Sequence, residues 1–231
     1  MFSIEFNGYD SKEVGLFIEH RPCVPIPNRD INEIYIKGRG TLTEDLGSYG
    51  DIQININFSF KNRYYYDKIS KVKNWLCSIR DHKLIFSDNN DMYYKVKKVQ
   101  CENIGRSLKV LGRFTVNFIC EPFLYYLNNE EIVLTSDDTF ESPEFAYKSE
   151  PIITIYGSGD ITLYVNSNLI ELENLKEYVT LDSTLKECYK DDENMNSNMY
   201  GDFPSLIQGE NSISFKGNIN KLKIKTNWRC L

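Results

Sequence analysis

The 231-residue chain contains a single alanine, Ala146, and two histidines, His20 and His82. Alanine is the best helix former. Its scarcity beside 16 Tyr and 13 Phe favours strands over helices. No apolar run approaches the ~18 residues that a membrane-spanning helix needs. The opening MFSIEFNGYD has neither a basic nor an apolar leader region, so no signal peptide is expected. Positive charge is not in excess. Lys+Arg 27 against Asp+Glu 33 gives a net charge of −6, which argues against a general nucleic-acid binder. The six cysteines, at 23, 77, 101, 120, 188 and 230, contain no CxxC pair. Zinc and redox motifs are therefore lacking, and reduced, partly buried thiols are expected.

Motifs of chemistry are scarce as well. There is no nucleophile elbow, phosphate loop or zincin helix. The two histidines stand far apart without motif context and read as structural. Asp191-Asp192-Glu193-Asn194 starts like a calcium loop but lacks the Gly at position six and the Glu at position twelve, so it reads as a solvated loop. The Gly-rich GRGTLTEDLGSYG has no Lys and no following helix to cradle a phosphate, and reads as a structured connection. No catalytic, cofactor-binding or metal-binding residue is expected, and no enzymatic activity.

What is present is a core-forming composition, 41% hydrophobic and 26% charged. Charge divides the chain into three. Residues 1–127 carry 18 basic and 15 acidic residues, net +3. Residues 128–142 carry five acidic and no basic residues, and read as a connection between two domains. Residues 143–231 carry 9 basic and 13 acidic residues, net −4.

In the first domain, Ile52, Ile54, Ile56, Phe58 and Phe60 alternate with Gln53, Asn55, Asn57 and Ser59, a strand with one buried face. From Tyr64 to Arg80 the period changes. Tyr65, Ile69, Val72, Leu76 and Ile79 mark an amphipathic helix, with Trp75 beside the stripe and Lys68, Lys71 and Lys73 on a solvated face. SLKVLGRFTVNFICEPF is a second long strand, and Arg21–Pro27 with its three prolines is an extended arm or loop. The first domain is thus α+β, strands around one helix. After Pro151 only short alternating runs appear, punctuated by turns, which suggests a β-sandwich of jelly-roll type. Gly201, Pro204 and Gly209 break the polar segment 191–211, which should hang off the sandwich as a surface loop carrying Tyr200 and Phe203. Those two aromatics are candidate partner-docking residues. The aromatics of this domain also leave open a carbohydrate-binding module. A sugar platform needs an aromatic flanked by fixed polar side chains on the sandwich face, and no such set can be picked out of the sequence.

The order of segments is itself informative. RPCVPIPNRD is followed by INEIYIKGRGTLTEDLGSYGDIQININFSF, then NWLCSIRDHKLIFSDNNDMYYKVKKV and GRFTVNFICEPFLYY. SEPIITIYGSGDITLYVN, YVTLDSTLKECYKD and YGDFPSLIQGENSISFKGN follow. Over nearly its whole length the chain resembles the distal tail (Dit) protein family of phages that infect Gram-positive bacteria. It departs at Gly38-Arg39-Gly40-Thr41, where the family usually has Gly-Arg-Asp-Gly. The resemblance implies a mainly β protein: an N-terminal split β-barrel-like domain with one helix, followed by a C-terminal galectin-like β-sandwich. It further implies a virion structural protein, a hexameric ring at the end of the tail tube. The expected partners are copies of itself, the tail tube protein, a tail-associated lysin or tail-tip protein, and a peripheral receptor-binding or baseplate protein. No membrane is involved in that reading.

Overall fold

A computed structural model describes residues 2–61, 64–101, 105–108 and 111–231. Strands make up 61% of it, with one α-helix, so the chain is mainly β. Two compact units divide it, Met1–Leu124 with Leu231, and Tyr125–Cys230. Among the described residues no helix is long and apolar enough to cross a membrane.

The first unit contains β1 (Ile4–Phe6), β2 (Tyr9–Asp10), β3 (Phe17–Ile18), β4 (Arg29–Ile36), β5 (Gly40–Tyr49), β6 (Ile52–Lys61), α1 (Tyr65–Cys77), β7 (Lys83–Phe86), β8 (Asn89–Cys101), β9 (Gly105–Leu108) and most of β10 (Leu111–Tyr126). Its main sheet runs β2-β1-β7-β8-β10-β6-β3. The alternation of β6 is realised as expected. Ile52, Ile54, Ile56, Phe58 and Phe60 are buried, opposite Cys120, Phe118, Val116, Phe114 and Gly112 of β10. Lys109 and Val110 of the expected second strand lie outside the described residues.

Helix α1 lays Val72 and Leu76 into this core, with Ile69 at its margin and Ile79, past the helix end, packed there too. Trp75 is more than a neighbour of the stripe. Its indole N–H donates to the Phe6 carbonyl at 2.7 Å, and its ring meets Phe6 and Phe58 edge-on. Lys68 departs from the expected solvated face. It is buried, its ammonium donates to the Val14 carbonyl, and burial followed by the charge of Lys71 lowers its pKa. The helix stops at Cys77 rather than Arg80. Asn7 explains why. Its amide N–H groups donate to the carbonyls of Trp75 and Ser78 at 2.6 and 3.1 Å, and its side-chain oxygen accepts from Arg80 and Asp81 N–H at 2.8 and 3.1 Å. One turn residue thus satisfies helix-end carbonyls that would otherwise lack partners.

The second unit contains β11 (Glu131–Leu134), β12 (Asp138–Glu141), β13 (Ile152–Val165), β14 (Asn168–Asp182), β15 (Glu187–Lys190), β16 (Glu193–Asn194), β17 (Met199–Tyr200), β18 (Glu210–Lys225) and β19 (Arg229–Cys230). Its sheet runs β11-β18-β13-β14-β15-β16, with β12 on β18 and β17 on β14. The short runs seen in sequence are halves of long strands. PIITIYG and GDITLYVN form one strand, β13, interrupted by a register shift between Gly159 and Ile161. A side chain at Gly157 would sit 2.3 Å from the Asn218 carbonyl, so glycine lets β13 and β18 approach at this bulge. Ile153, Ile155, Leu163, Val165, Ile170, Leu181, Leu222 and Ile224 fill an almost wholly aliphatic core, closed by Trp228.

The acidic stretch 128–142 is not a mere connection. Ile132 and Leu134 of β11 face Ile224 and Leu222 of β18, and β12 pairs with residues 210–213. Lys223 binds Glu131 at 2.6 Å, which accommodates the acidic residue at the sheet edge.

Candidate functional site

Two surfaces answer to the docking role that the sequence suggests. The first is the hairpin β4–β5, a two-stranded sheet that joins neither large sheet. Ile34 stands opposite Leu42 and Ile36 opposite Gly40, and a three-residue turn connects the strands, with Gly38 and Gly40 at φ 86° and 94°. Its base is fixed by an Arg29–Asp45 ion pair at 2.9 Å and a Ser48–Asp30 hydrogen bond at 2.7 Å. Tyr49 at the end of β5 meets Phe123 edge-on. Beyond that base the arm stands in solvent. Ile31, Ile34, Tyr35, Leu42 and Leu46 are exposed, as are Val24 and Ile26 in the proline-rich approach, Ile26 at 89%. GRGTLTEDLGSYG, expected as a connection, supplies the whole of β5. An isolated hairpin is marginal in water, and clustered exposed apolar side chains mark interaction sites.

The second surface is the segment 191–211. It does not hang free. Glu193 pairs with Lys190, Tyr200 with Glu171, and Leu206 with Ser149, so three short pairings tie the segment to the sandwich. The Asn196 side chain accepts from the Cys188 N–H at 2.6 Å, and Asn211, fully buried, donates to the carbonyls of Ile207 and Gly209. Glycine and proline break long strands but leave room for two-residue ones. Of the two aromatics singled out, Tyr200 is exposed while Phe203 is half-buried against the core, with the Lys186 ammonium over its ring at 5.9 Å.

Several reactive side chains among the described residues are engaged in structure. His82 Nδ1 lies 2.7 Å from the Val96 carbonyl. Asp191 accepts a hydrogen bond from the Tyr178 hydroxyl, whose pKa this bond raises. Cys120 and Cys188 are buried, and burial pushes their thiols up to about 12 and about 11. A pocket of about 400 Å³ beside α1 is lined by Tyr9, Glu13, Lys71 and Arg80 among others, with no His or Cys.

Comparison with known proteins places this architecture. Residues 3–122 match the family model described as the phage tail protein N-terminal domain. The chain belongs to this family. The match takes in the hairpin arm, α1 and the β6–β10 pair of this phage tail protein. No curated protein matches the sequence. Among solved structures it is similar to the Dit protein (gp 19.1) of SPP1, described as a paradigm of the hub adsorption apparatus in phages that infect Gram-positive bacteria. The TM-score is 0.70 at 12% identity, covering 100% of this chain and 98% of that chain. At that identity the likeness is one of fold. It bears out the fold class, and the family match bears out the phage tail resemblance carried by the segment order.

Proposed function

We propose that this tail protein is a distal tail hub. Copies of the first unit, residues 1–127 in sequence terms, associate into a ring at the end of the tail tube. The second unit joins that ring to tail-tip, baseplate or receptor-binding proteins. The observation that carries this reading is the β4–β5 arm, seven large apolar side chains counting Val24 and Ile26, none covered by a core among the described residues. At about 1.5 kcal/mol or more for each side chain covered, a neighbouring copy recovers on the order of 10 kcal/mol. That competes with association costs of about 4–15 kcal/mol. Six copies, the number implied by the distal tail resemblance, would weigh six times the 27.0 kDa chain mass. The docking role falls to Tyr200 and Phe203, the first exposed and the second at the margin of the core.

The test is the mass of the full-length protein across a concentration series, beside a variant with Ile34→Asp and Leu42→Asp. The hub reading expects a concentration-dependent ring for the native chain and a folded monomer for the variant. Rings that survive the double substitution would remove the arm from the interface. A native chain that stays monomeric and is absent from assembled tails would end the hub reading.

A further inference from the structure

The outward side of the second unit's sheet carries an arrangement that the hub reading does not use. β13, β14 and β18 lie side by side there, and register places Tyr156 between Tyr178 and Lys221. The two tyrosine rings lie 5.7 Å apart with their planes at 33°. The Lys221 ammonium sits 4.7 Å from the centre of the Tyr156 ring, and the Lys190 ammonium 5.3 Å from that of Tyr178. The Tyr178 hydroxyl donates to Asp191, and Lys190 donates to Glu177 at 2.7 Å and to the Lys176 carbonyl at 3.1 Å. Two residues along the same strands, the hydroxyls of Thr154 and Thr180 are 3.2 Å apart, and Lys223 binds Glu131. This is an aromatic pair framed by polar side chains that their neighbours hold in place.

Charge and apolarity decide what fits. Lys190, Lys221, Lys223 and Lys225 balance Glu131, Glu177, Asp182 and Asp191, so the face is neutral although residues 143–231 are net −4. Two of the four lysines are already paired with carboxylates. A polyanion therefore finds no surplus of cations to replace its counterions. The buried aliphatic side chains of these strands, Ile153, Ile155, Val179, Leu181, Leu222 and Ile224, point the other way into the core. On this side register leaves two aliphatic side chains, Ile152 and the exposed Val133, separated by the lysines of β18, so a protein partner would find no continuous aliphatic patch to cover. The complementary molecule is uncharged, with a flat C–H face for the tyrosines and closely spaced hydroxyls for carboxylate, ammonium and threonine. Those are the properties of a pyranose ring. Tyrosine suits such contacts because it offers an apolar ring and a polar tip together.

We propose that this face is a binding site for a neutral saccharide. Tyr156 and Tyr178 form its platform, and Asp191, Lys221 and Thr154, whose hydroxyl the buried Thr180 holds, bond the sugar hydroxyls. The site does not depend on ring assembly, and the hairpin substitutions of the preceding section leave it untouched.

Saturation-transfer NMR on the full-length protein tests it, with maltotriose, cellotriose and chitotriose as neutral probes and dextran sulfate as a polyanion. At least one neutral trisaccharide should receive saturation. Tyr156→Phe should keep that binding and Tyr156→Ala should weaken it tenfold or more. Asp191→Asn, at an exposed position, should weaken it severalfold with an unchanged melting temperature, which guards against misfolding of the alanine variant. Binding by none of the three neutral sugars, equal binding by Tyr156→Ala in a folded protein, or binding of dextran sulfate alone would overturn the assignment.

Discussion

The pairs β6–β10 and β4–β5 are both antiparallel and lie in the same unit, yet they stand in opposite environments. In β6 every second residue from Ile52 to Phe60 is buried. Along β4 and β5 almost every residue is exposed, Ile34 and Leu42 included. The difference lies above the strands. α1 and β1 cover β6–β10 with Trp75, Leu76, Ile4 and Phe6, whereas no described residue of the chain builds a core over the arm. Alternation in a sequence reports a strand; a second layer decides whether that strand is core or contact surface.

The largest effect that would sharpen this contrast is expected in the core. Phe58→Ala should cost the first unit about 3–5 kcal/mol in urea unfolding. Ile34→Ala should change it by less than about 0.5 kcal/mol, as for other exposed positions. Equal costs would break the comparison. Next comes Asn7→Ala, which strips a side-chain partner from four backbone groups at and just after the end of α1. A loss of about 1–3 kcal/mol is expected, seen by hydrogen exchange first in residues 74–81. Phe203→Ala should cost about 1–2 kcal/mol, as partial burial warrants, and should lower occupancy of the peripheral protein on isolated tails. Unchanged occupancy would exclude Phe203 from docking.

The smallest effects concern thiols and pH. Cys23 and Cys77 are exposed and should react with a thiol reagent in the native protein, while Cys120 and Cys188 should react only on unfolding. The folded pKa values of Cys120 and Cys188 stand above the ordinary 9.0. Their neutral form therefore favours the folded state fully below that value, and the contribution is lost as pH rises from about 9 toward 12. Denaturation midpoints measured from pH 8 to 11 should fall on the alkaline side, and less so for a Cys120→Val variant.

The buried elements were legible in the sequence because burial imposes period. β6, β10 and α1 follow from their apolar spacing. β5 was hidden because an uncovered strand has no buried face to enforce alternation, and its glycines resemble a loop. β11 and β12 were hidden by acidic residues that an edge strand tolerates, and β16 and β17 by having only two residues each. The long strands β13, β14 and β18 read as fragments because bulges at Gly157–Gly159 and their neighbours interrupt the pattern. Tyr200 and Phe203 could be named from sequence, but their unequal burial could not. The Tyr156–Tyr178 face was out of reach for another reason. Its polar frame comes from Asp191, Lys221 and Lys223, which only strand register brings together.

The position of β18 in the chain governs how the second unit is made. Glu210–Lys225 pairs with β11, β12 and β13, so the strand that holds the sheet together leaves the ribosome after every strand it joins. Until then β11 and the Ile152–Val165 strand wait with open edges and uncovered isoleucines. The β6–β10 pair, by contrast, closes once residue 120 is out. Contacts spanning 90 residues of chain form slowly, and unpaired edges invite aggregation while they wait. A premature stop before residue 210 therefore leaves a folded first unit trailing an adhesive, half-built sheet, and overproduction of the chain should be limited by the rate at which residues 210–225 arrive.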